Sequence, residues 1–161
     1  MNEKEILENE FEKPIILVTY TEPQSIKKSV EVRKYDLLVD KDTSIRKIDV
    51  LFAFEFAHYA TLKAGIRVNQ QVEDQKLKPI PKPKDRPVVA TNDEYKSGTG
   101  KHVKLTIRTG HILTGEQLQD TKYNLIIKVC DQSVLVYKHG ILEYQMEADI
   151  EGETDGRRTE E

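Results

Sequence analysis

Hydrophobic and polar positions alternate most regularly in the second half of the chain. Val103, Leu105 and Ile107 alternate with polar residues, a period of two that is typical of a strand with one buried face. After the turn at Thr109-Gly110, four more strand-like runs follow at short intervals, at residues 112–119, 122–129, 134–137 and 141–145. Five short strands predict a small bent barrel, and Gly115 in mid-strand allows the sharp bend that such a barrel needs.

The first half shows a weaker version of the same pattern. Branched and aromatic residues predict strands at 15–21, 29–39, 50–56, 59–62 and 66–68. Ile6, Leu7 and Phe11 lie among glutamates before Pro14 and predict a short N-terminal helix. The fold class is therefore mostly β.

The two halves share a short internal similarity. Leu62-Lys63-Ala64-Gly65-Ile66 parallels Tyr137-Lys138-His139-Gly140-Ile141, and residues 50–54 parallel 124–128 at almost the same distance. We interpret this as two copies of one fold, with a degenerate first copy. Chance similarity between two β segments is the alternative.

A basic, proline-rich connection separates the halves. Proline removes backbone donors and favours extended polyproline structure, so Lys78-Pro79-Ile80-Pro81-Lys82-Pro83-Lys84 does not fit inside a sheet. A semi-rigid linker is the favoured interpretation, and a ligand for a proline-recognising domain is the alternative.

Composition narrows the cellular setting. No apolar run approaches the roughly 18 residues of a membrane span, and the acidic N-terminus has no signal-peptide pattern. Cys130 is the one cysteine, which excludes an internal disulfide and a multi-cysteine zinc site, and we expect it to be buried in a strand. These features predict a cytoplasmic protein without cofactor, metal site, membrane partner or small-molecule substrate.

The net charge of −3 is unevenly distributed. Residues 147–161 hold seven acidic residues and two arginines, a net charge of −5, whereas residues 76–86 are basic. The chain is thus a basic body with an acidic tail that we expect to be disordered. The tail is expected either to compete with phosphate groups for the basic body or only to solubilise the protein.

From Val103 to Ile141 the chain resembles the Hfq-type bacterial Sm-like RNA chaperones. The resemblance rests on Thr109-Gly110, Gly115, Tyr123 and the closing Tyr137-Lys138-His139-Gly140-Ile141. It implies tandem Sm-like five-stranded barrels, with a degenerate copy at 1–70, a linker at 71–100, an Hfq-like domain at 101–146 and a tail at 147–161. It also implies a ring-shaped homo-oligomer, made of three chains with both copies in the ring or of six chains.

The resemblance implies two RNA-binding surfaces for a post-transcriptional regulator. Tyr123 would stack on bases of uridine-rich single-stranded RNA, and Tyr137, Lys138 and His139 would contact phosphate, ribose or base. Tyr123 as a barrel-wall aromatic and His139 as a turn histidine are the alternatives. An adenine-rich surface would include Gly110, His111 and Ile112. The family's rim arginines have no counterpart in residues 92–96, and the basic linker is the candidate substitute.

The four histidines are dispersed, and the pattern of their segments indicates no partnered nucleophile for any of them. We therefore expect no enzymatic activity. The alternative to RNA binding is an Sm-like scaffold that binds proteins.

Overall fold

The structure, a computed structural model, describes residues 2–147 and is mostly β. Residues 148–161, which hold nearly all of the predicted acidic tail, lie outside the described residues. The predicted N-terminal helix is confirmed as α1, Glu3–Glu5, followed by a π-helical turn, Ile6–Glu10. Ile6 and Leu7 are buried against the first group of strands.

The first half forms a unit of six short strands. They are β1 Ile15–Thr19, β2 Gln24–Ile26, β3 Val30–Val32, β4 Asp36–Val39, β5 Thr43–Arg46 and β6 Val50–Glu55, with a 3₁₀ turn at Lys47–Asp49 before β6. Their order is β6–β1–β2 in one sheet and β3–β4–β5 in another. The predicted strand at 29–39 is thus two strands and a turn. Asp40 stabilises the break between β2 and β3 by accepting backbone hydrogen bonds from residues 27, 28 and 29.

A connecting segment follows β6. It contains a 3₁₀ turn at Phe56–His58, α2 Tyr59–Gly65, β7 Arg67–Val68, α3 Gln70–Asp74 and a second 3₁₀ turn at Pro83–Asp85. The predicted strand at 59–62 is wrong, because these residues form the first part of α2. Residues 59–65 include two alanines and a leucine, which favour helix over strand.

The second half is one helix and five strands. They are α4 Asn92–Ser97, β8 His102–Ile107, β9 His111–Asp120, β10 Asn124–Val129, β11 Gln132–Tyr137 and β12 Ile141–Met146, with a 3₁₀ turn at Lys138–Gly140 before β12. All five strands predicted in this half are confirmed, within a few residues at their ends. Their order is β12–β8–β9–β10–β11.

Gly115 lies where β9 changes partner. The first part of β9 pairs with β8, and the part after Gly115 pairs with β10. A Cβ at this position would overlap the backbone carbonyl of Lys128 on β10. The close approach therefore requires glycine here, as the mid-strand position predicted.

The same strand order occurs twice. In each half the last strand, β6 or β12, follows a 3₁₀ turn and pairs with the first strand of its unit, β1 or β8. The second strand pairs with both the first strand and the third. This second strand is continuous as β9 in the second half and is broken into β2 and β3 in the first. The units join where β11 pairs with β6, with Leu135 opposite Ala53 and Val136 opposite Phe52. All four side chains are buried, so the seam between the units is apolar.

Three sequence-based expectations need correction. The strands do not close into barrels among residues 2–147, since β11 and β12 lie at opposite ends of the second unit's strand order. The similarity between Leu62–Ile66 and Tyr137–Ile141 has no structural counterpart, because residues 62–65 are helical. Cys130 is exposed in the turn after β10, with a φ of 50°, and is not a buried strand residue.

Candidate functional site

A cleft of about 280 Å³ lies between the proline-rich segment and the second unit. It brings together three of the residues predicted from the sequence, Tyr123, Lys138 and His139. Its other walls come from residues 80–90, from α4, from the residue that follows β8 and from the start of β12. They are Ile80, Pro83, Arg86, Pro87, Val88, Val89, Ala90, Tyr95, Arg108 and Ile141.

Tyr123 stands at the turn before β10 and is 65 % exposed. Its carbonyl accepts a hydrogen bond from the backbone amide of Lys138 at 2.9 Å, which fixes the turn against the start of the 3₁₀ helix. The ring itself is left in solvent, with the Lys122 ammonium 5.2 Å from its centroid. Tyr123 is therefore not a wall aromatic, and its face is open to a planar ligand.

Lys138 is mostly buried and its ammonium is already partnered. It forms an ion pair with Asp120 and donates a hydrogen bond to the carbonyl of Thr121. It also lies 4.5 Å from the centroid of the Tyr95 ring. The charge of Lys138 is thus balanced inside the protein, and the side chain holds the floor of the cleft rather than offering a free cation.

His139 lines the cleft as a neutral imidazole. Both ring nitrogens are buried, and neither has a hydrogen-bond partner among the described residues. Burial, with the positive charge of Arg86 nearby, lowers the pKa of His139 to about 4, and the backbone of Lys47 and the Asp49 carboxylate oppose this only in part. At neutral pH His139 is therefore uncharged, and its ring nitrogens are closed to solvent.

Tyr137 does not contribute to the cleft. The side chain is 2 % exposed and packs into the core formed mainly by the first unit, and its hydroxyl donates a hydrogen bond to Glu3 of α1. Burial and the Glu3 charge raise the pKa of Tyr137 well above its ordinary value. Residues 134–137 of β11 are all buried, so Tyr137 lies in a stretch of the strand that is covered on both faces.

The turn with Gly110, His111 and Ile112 lies away from the cleft. β7 covers it, with Arg67 opposite Ile112 and Val68 opposite His111. The Gly110 carbonyl accepts the Asn69 amide at 2.7 Å, and its φ of 100° is one that glycine adopts readily.

His111 is packed within this covered turn. Its ring lies edge-on to Phe52 at 5.4 Å, and its Nδ1 is 2.6 Å from the Thr109 hydroxyl. Burial lowers the pKa of His111. The surface predicted for adenine-rich RNA is therefore occupied by the chain's own connecting segment, beside a second cavity of about 630 Å³.

Two arginines fix the proline-rich segment in place. Arg86 donates to the carbonyls of Ile80 and Pro81, at 2.8 and 3.1 Å. Arg108 donates to the Lys78 carbonyl at 2.9 Å and to the Tyr20 hydroxyl at 3.1 Å. The linker is consequently a wall of the cleft, and it brings the positive charge of Arg86 to the same side as Tyr123.

Sequence reasoning missed α4 and Tyr95, which form part of the cleft. Thr91 and Glu94 make a reciprocal capping box at the start of α4. The spacing Thr-x-x-Glu is visible in the sequence and is an N-terminal helix signal. Tyr95 is 5 % exposed and stacks edge-on to Tyr144 at 4.7 Å, which docks α4 onto the sheet.

No family model matches the sequence. Within residues 2–147, no helix has the length and apolar character needed to cross a membrane.

Proposed function

We propose that the protein binds single-stranded RNA and consists of two Sm-like units in tandem. The repeated strand order supports the architecture, since each unit has a preceding helix, five strand positions and a 3₁₀ turn before its last strand. The observation that carries the function is the exposed Tyr123 ring at the mouth of a cleft that also contains His139 and Arg86.

Each part of the cleft suits an unpaired nucleotide. An exposed aromatic face stacks on any base and contributes about 1–3 kcal/mol per base. His139 lines the same cleft without adding a charge. Lys122 and Arg86 supply positive charge for the phosphate in place of Lys138, which is already paired.

Fluorescence anisotropy with a labelled oligouridine tests the proposal. At about 50 mM salt the protein should bind, and affinity should fall as salt rises towards about 200 mM, because phosphate contacts release counterions. Tyr123→Ala should weaken binding at least about fivefold, whereas Tyr123→Phe should keep it, since stacking uses the ring and not the hydroxyl. Absence of binding at low salt would refute the RNA function.

The open strand edges support a ring assembly. Inside the chain, the fourth strand of the second unit, β11, pairs with the fifth strand of the first, β6. The corresponding edges, β5 and β12, have no such partner among residues 2–147. Unpaired edges favour pairing with another chain, and β5 of one chain with β12 of the next repeats the same type of seam.

A six-unit ring of the kind that the resemblance implies would contain three chains, each with two units. The free edges are more polar than the internal seam, because Thr43 and Ser44 of β5 and Glu143 and Gln145 of β12 are exposed. We therefore expect association to depend on protein concentration.

A protein-binding scaffold is the second candidate, supported by one exposed aromatic cluster. Phe56 is 50 % exposed and stacks on Tyr59 at 5.8 Å, and Tyr59 stacks on Phe54. Exposed aromatic rings in contact are enriched in protein interfaces. The ratio of absorbance at 260 to 280 nm, measured on protein purified in low and in high salt, distinguishes bound nucleic acid from its absence.

A further inference from the structure

The turns that present Tyr35 and Tyr123 have the same backbone structure. The carbonyl of Tyr35 accepts the amide of Lys47 at 2.9 Å, and the carbonyl of Tyr123 accepts the amide of Lys138 at 2.9 Å. In each unit the tyrosine directly precedes the third strand, which is β4 or β10. The lysine is the first residue of the 3₁₀ turn that precedes the fifth strand, which is β6 or β12.

A second backbone hydrogen bond closes each turn. The amide of Arg33 donates to the carbonyl of Asp36 at 3.0 Å, and the amide of Thr121 donates to Asn124 at 2.9 Å. The equivalence thus rests on two hydrogen bonds per turn, and it fixes the relation between the units residue by residue. The structural counterpart of Tyr137-Lys138-His139 is Arg46-Lys47-Ile48, not the helical segment at 62–64.

The side chains at the two turns also match. Tyr35 is 73 % exposed and Tyr123 is 65 % exposed. Lys34 and Lys122 precede them, and each ammonium lies 5.2 Å from the centroid of the neighbouring tyrosine ring. An aromatic ring with an adjacent cation is a surface on which a base stacks while its phosphate meets positive charge.

We propose that Tyr35 and Lys34 form a second base-stacking site for single-stranded RNA, equivalent in position to Tyr123 and Lys122. This inference rests on the proposed RNA function. It adds a binding site in the first unit, the copy that the sequence analysis described as degenerate. Each chain then holds two stacking rings on one strand of RNA. Tethered contacts of this kind raise the total affinity because the second contact is intramolecular.

The first-unit site differs in what surrounds the ring. Ile48 replaces His139, and the ammonium of Lys47 is paired with Glu3 at 2.7 Å. The proline-rich segment lines the cleft at Tyr123 and is not part of the turn at Tyr35. Tyr35 should stack on bases with little preference among them, because stacking uses only the face of the ring.

The chain contains no tryptophan, so a single introduced indole reports on one position. Three full-length variants are compared, Tyr35→Trp, Tyr123→Trp and the control Tyr59→Trp, each titrated with oligouridine at low salt. Stacking of a base on the indole should quench its fluorescence in Tyr35→Trp and in Tyr123→Trp. The Tyr59 variant should not change, because Tyr59 belongs to the separate aromatic cluster.

Quenching in Tyr123→Trp without quenching in Tyr35→Trp would overturn the second site and leave the RNA function standing. No quenching in either variant, together with no binding in anisotropy, would refute both the second site and the RNA function. As an independent measure, Tyr35→Ala should weaken oligouridine binding by about fivefold or more, and Tyr35→Phe should not. Tyr35 is so exposed that neither change should alter the thermal midpoint, which separates lost binding from lost folding.

Discussion

The hydroxyl of Tyr137 donates a hydrogen bond to the carboxylate of Glu3. The other oxygen of that carboxylate pairs with the Lys47 ammonium at 2.7 Å, with both side chains mostly buried. Glu3 thus connects the N-terminal helix to the fourth strand of the second unit and to the 3₁₀ turn of the first. Tyr137, which the sequence analysis expected to contact RNA, thus forms a contact between the two units and the N-terminal helix.

Tyr137→Phe should therefore lower stability and leave RNA binding intact. The change removes one hydrogen bond to a carboxylate, which still keeps Lys47, so we expect a loss of about 1–2 kcal/mol. Urea unfolding measures the loss, and oligouridine anisotropy measures the binding. If affinity fell with the stability unchanged, Tyr137 would contact RNA after all.

Two lysines near the cleft provide a matched pair for the second prediction. Lys138→Ala leaves Asp120 poorly solvated and without its cation, which should destabilise the fold by about 1–3 kcal/mol. Lys122→Ala removes an exposed charge next to Tyr123, so it should not change stability but should weaken RNA binding and reduce its salt dependence. Equal stability losses in the two variants would contradict the buried ion pair.

Asp120→Asn provides the control for Lys138→Ala. The double variant carries no unpaired carboxylate, and it should recover part of the stability lost in the single lysine variant. Recovery would show that the loss came from the uncompensated charge and not from missing contacts of the lysine stem.

The low pKa of His139 predicts that the free energy of unfolding depends on pH. Its pKa is about 4 in the folded protein, below the ordinary value of 6.5. Between these values the unfolded chain binds the proton more readily, so stability is full above pH 6.5 and falls as the pH drops towards 4. The shift corresponds to about 3 kcal/mol when the titration is complete.

His139→Gln isolates this effect from other titrating groups such as His111. The wild-type urea midpoint should drop between pH 7 and pH 4.5, and the drop should be smaller in the variant. Arg86→Gln should reduce the dependence partly, because its charge is the second cause of the low pKa after burial. Identical pH profiles for wild type and His139→Gln would show that His139 is accessible and titrates normally.

The sequence predicted the strands of the second unit well because local chemistry determines them. Alternation positioned β8, and Gly115 marked the place where β9 exchanges partners. The capping box at Thr91 and Glu94 was equally local, and α4 was predictable from it. In the first half, the strands are short and residues 59–65 are helical, so the sequence pattern did not show the repeated strand order. That repeat shows only in hydrogen bonds between residues far apart in the sequence, such as Lys47 and Tyr35.

The candidate site was predictable only in part. Tyr123 and His139 lie in the cleft as their motif indicated, but the sequence does not show which lysine is free. Lys138 and Lys122 have the same chemistry, and the fold alone puts Asp120 beside the first and solvent beside the second. The same holds for β7, which covers Gly110 and His111 through pairings that no local pattern specifies.

The internal seam between β11 and β6 predicts which residues would face each other in the proposed seam between neighbouring chains. Val136 faces Phe52 at the internal seam. The counterparts of these residues, counted from the two 3₁₀ turns, are Ile45 and Glu143. If β5 pairs with β12 of a neighbouring chain in the same way, Thr43 faces Gln145 two residues further along the antiparallel pair.

Engineered cysteines at Thr43 and Gln145 should therefore cross-link neighbouring chains. Both side chains are exposed, so the changes should not disturb the fold, and Cys130→Ser removes the natural thiol. Opposed strand residues lie about 4.5–5.5 Å apart at Cα, within the range that a disulfide spans. Mixing Thr43→Cys chains with Gln145→Cys chains under mild oxidation should give covalent dimers on a non-reducing gel, while each variant alone should give none. A chain with both cysteines should give a ladder that stops at the closed ring. Absence of dimers in the mixture, together with a monomer mass in light scattering at micromolar concentration, would contradict ring assembly through these edges.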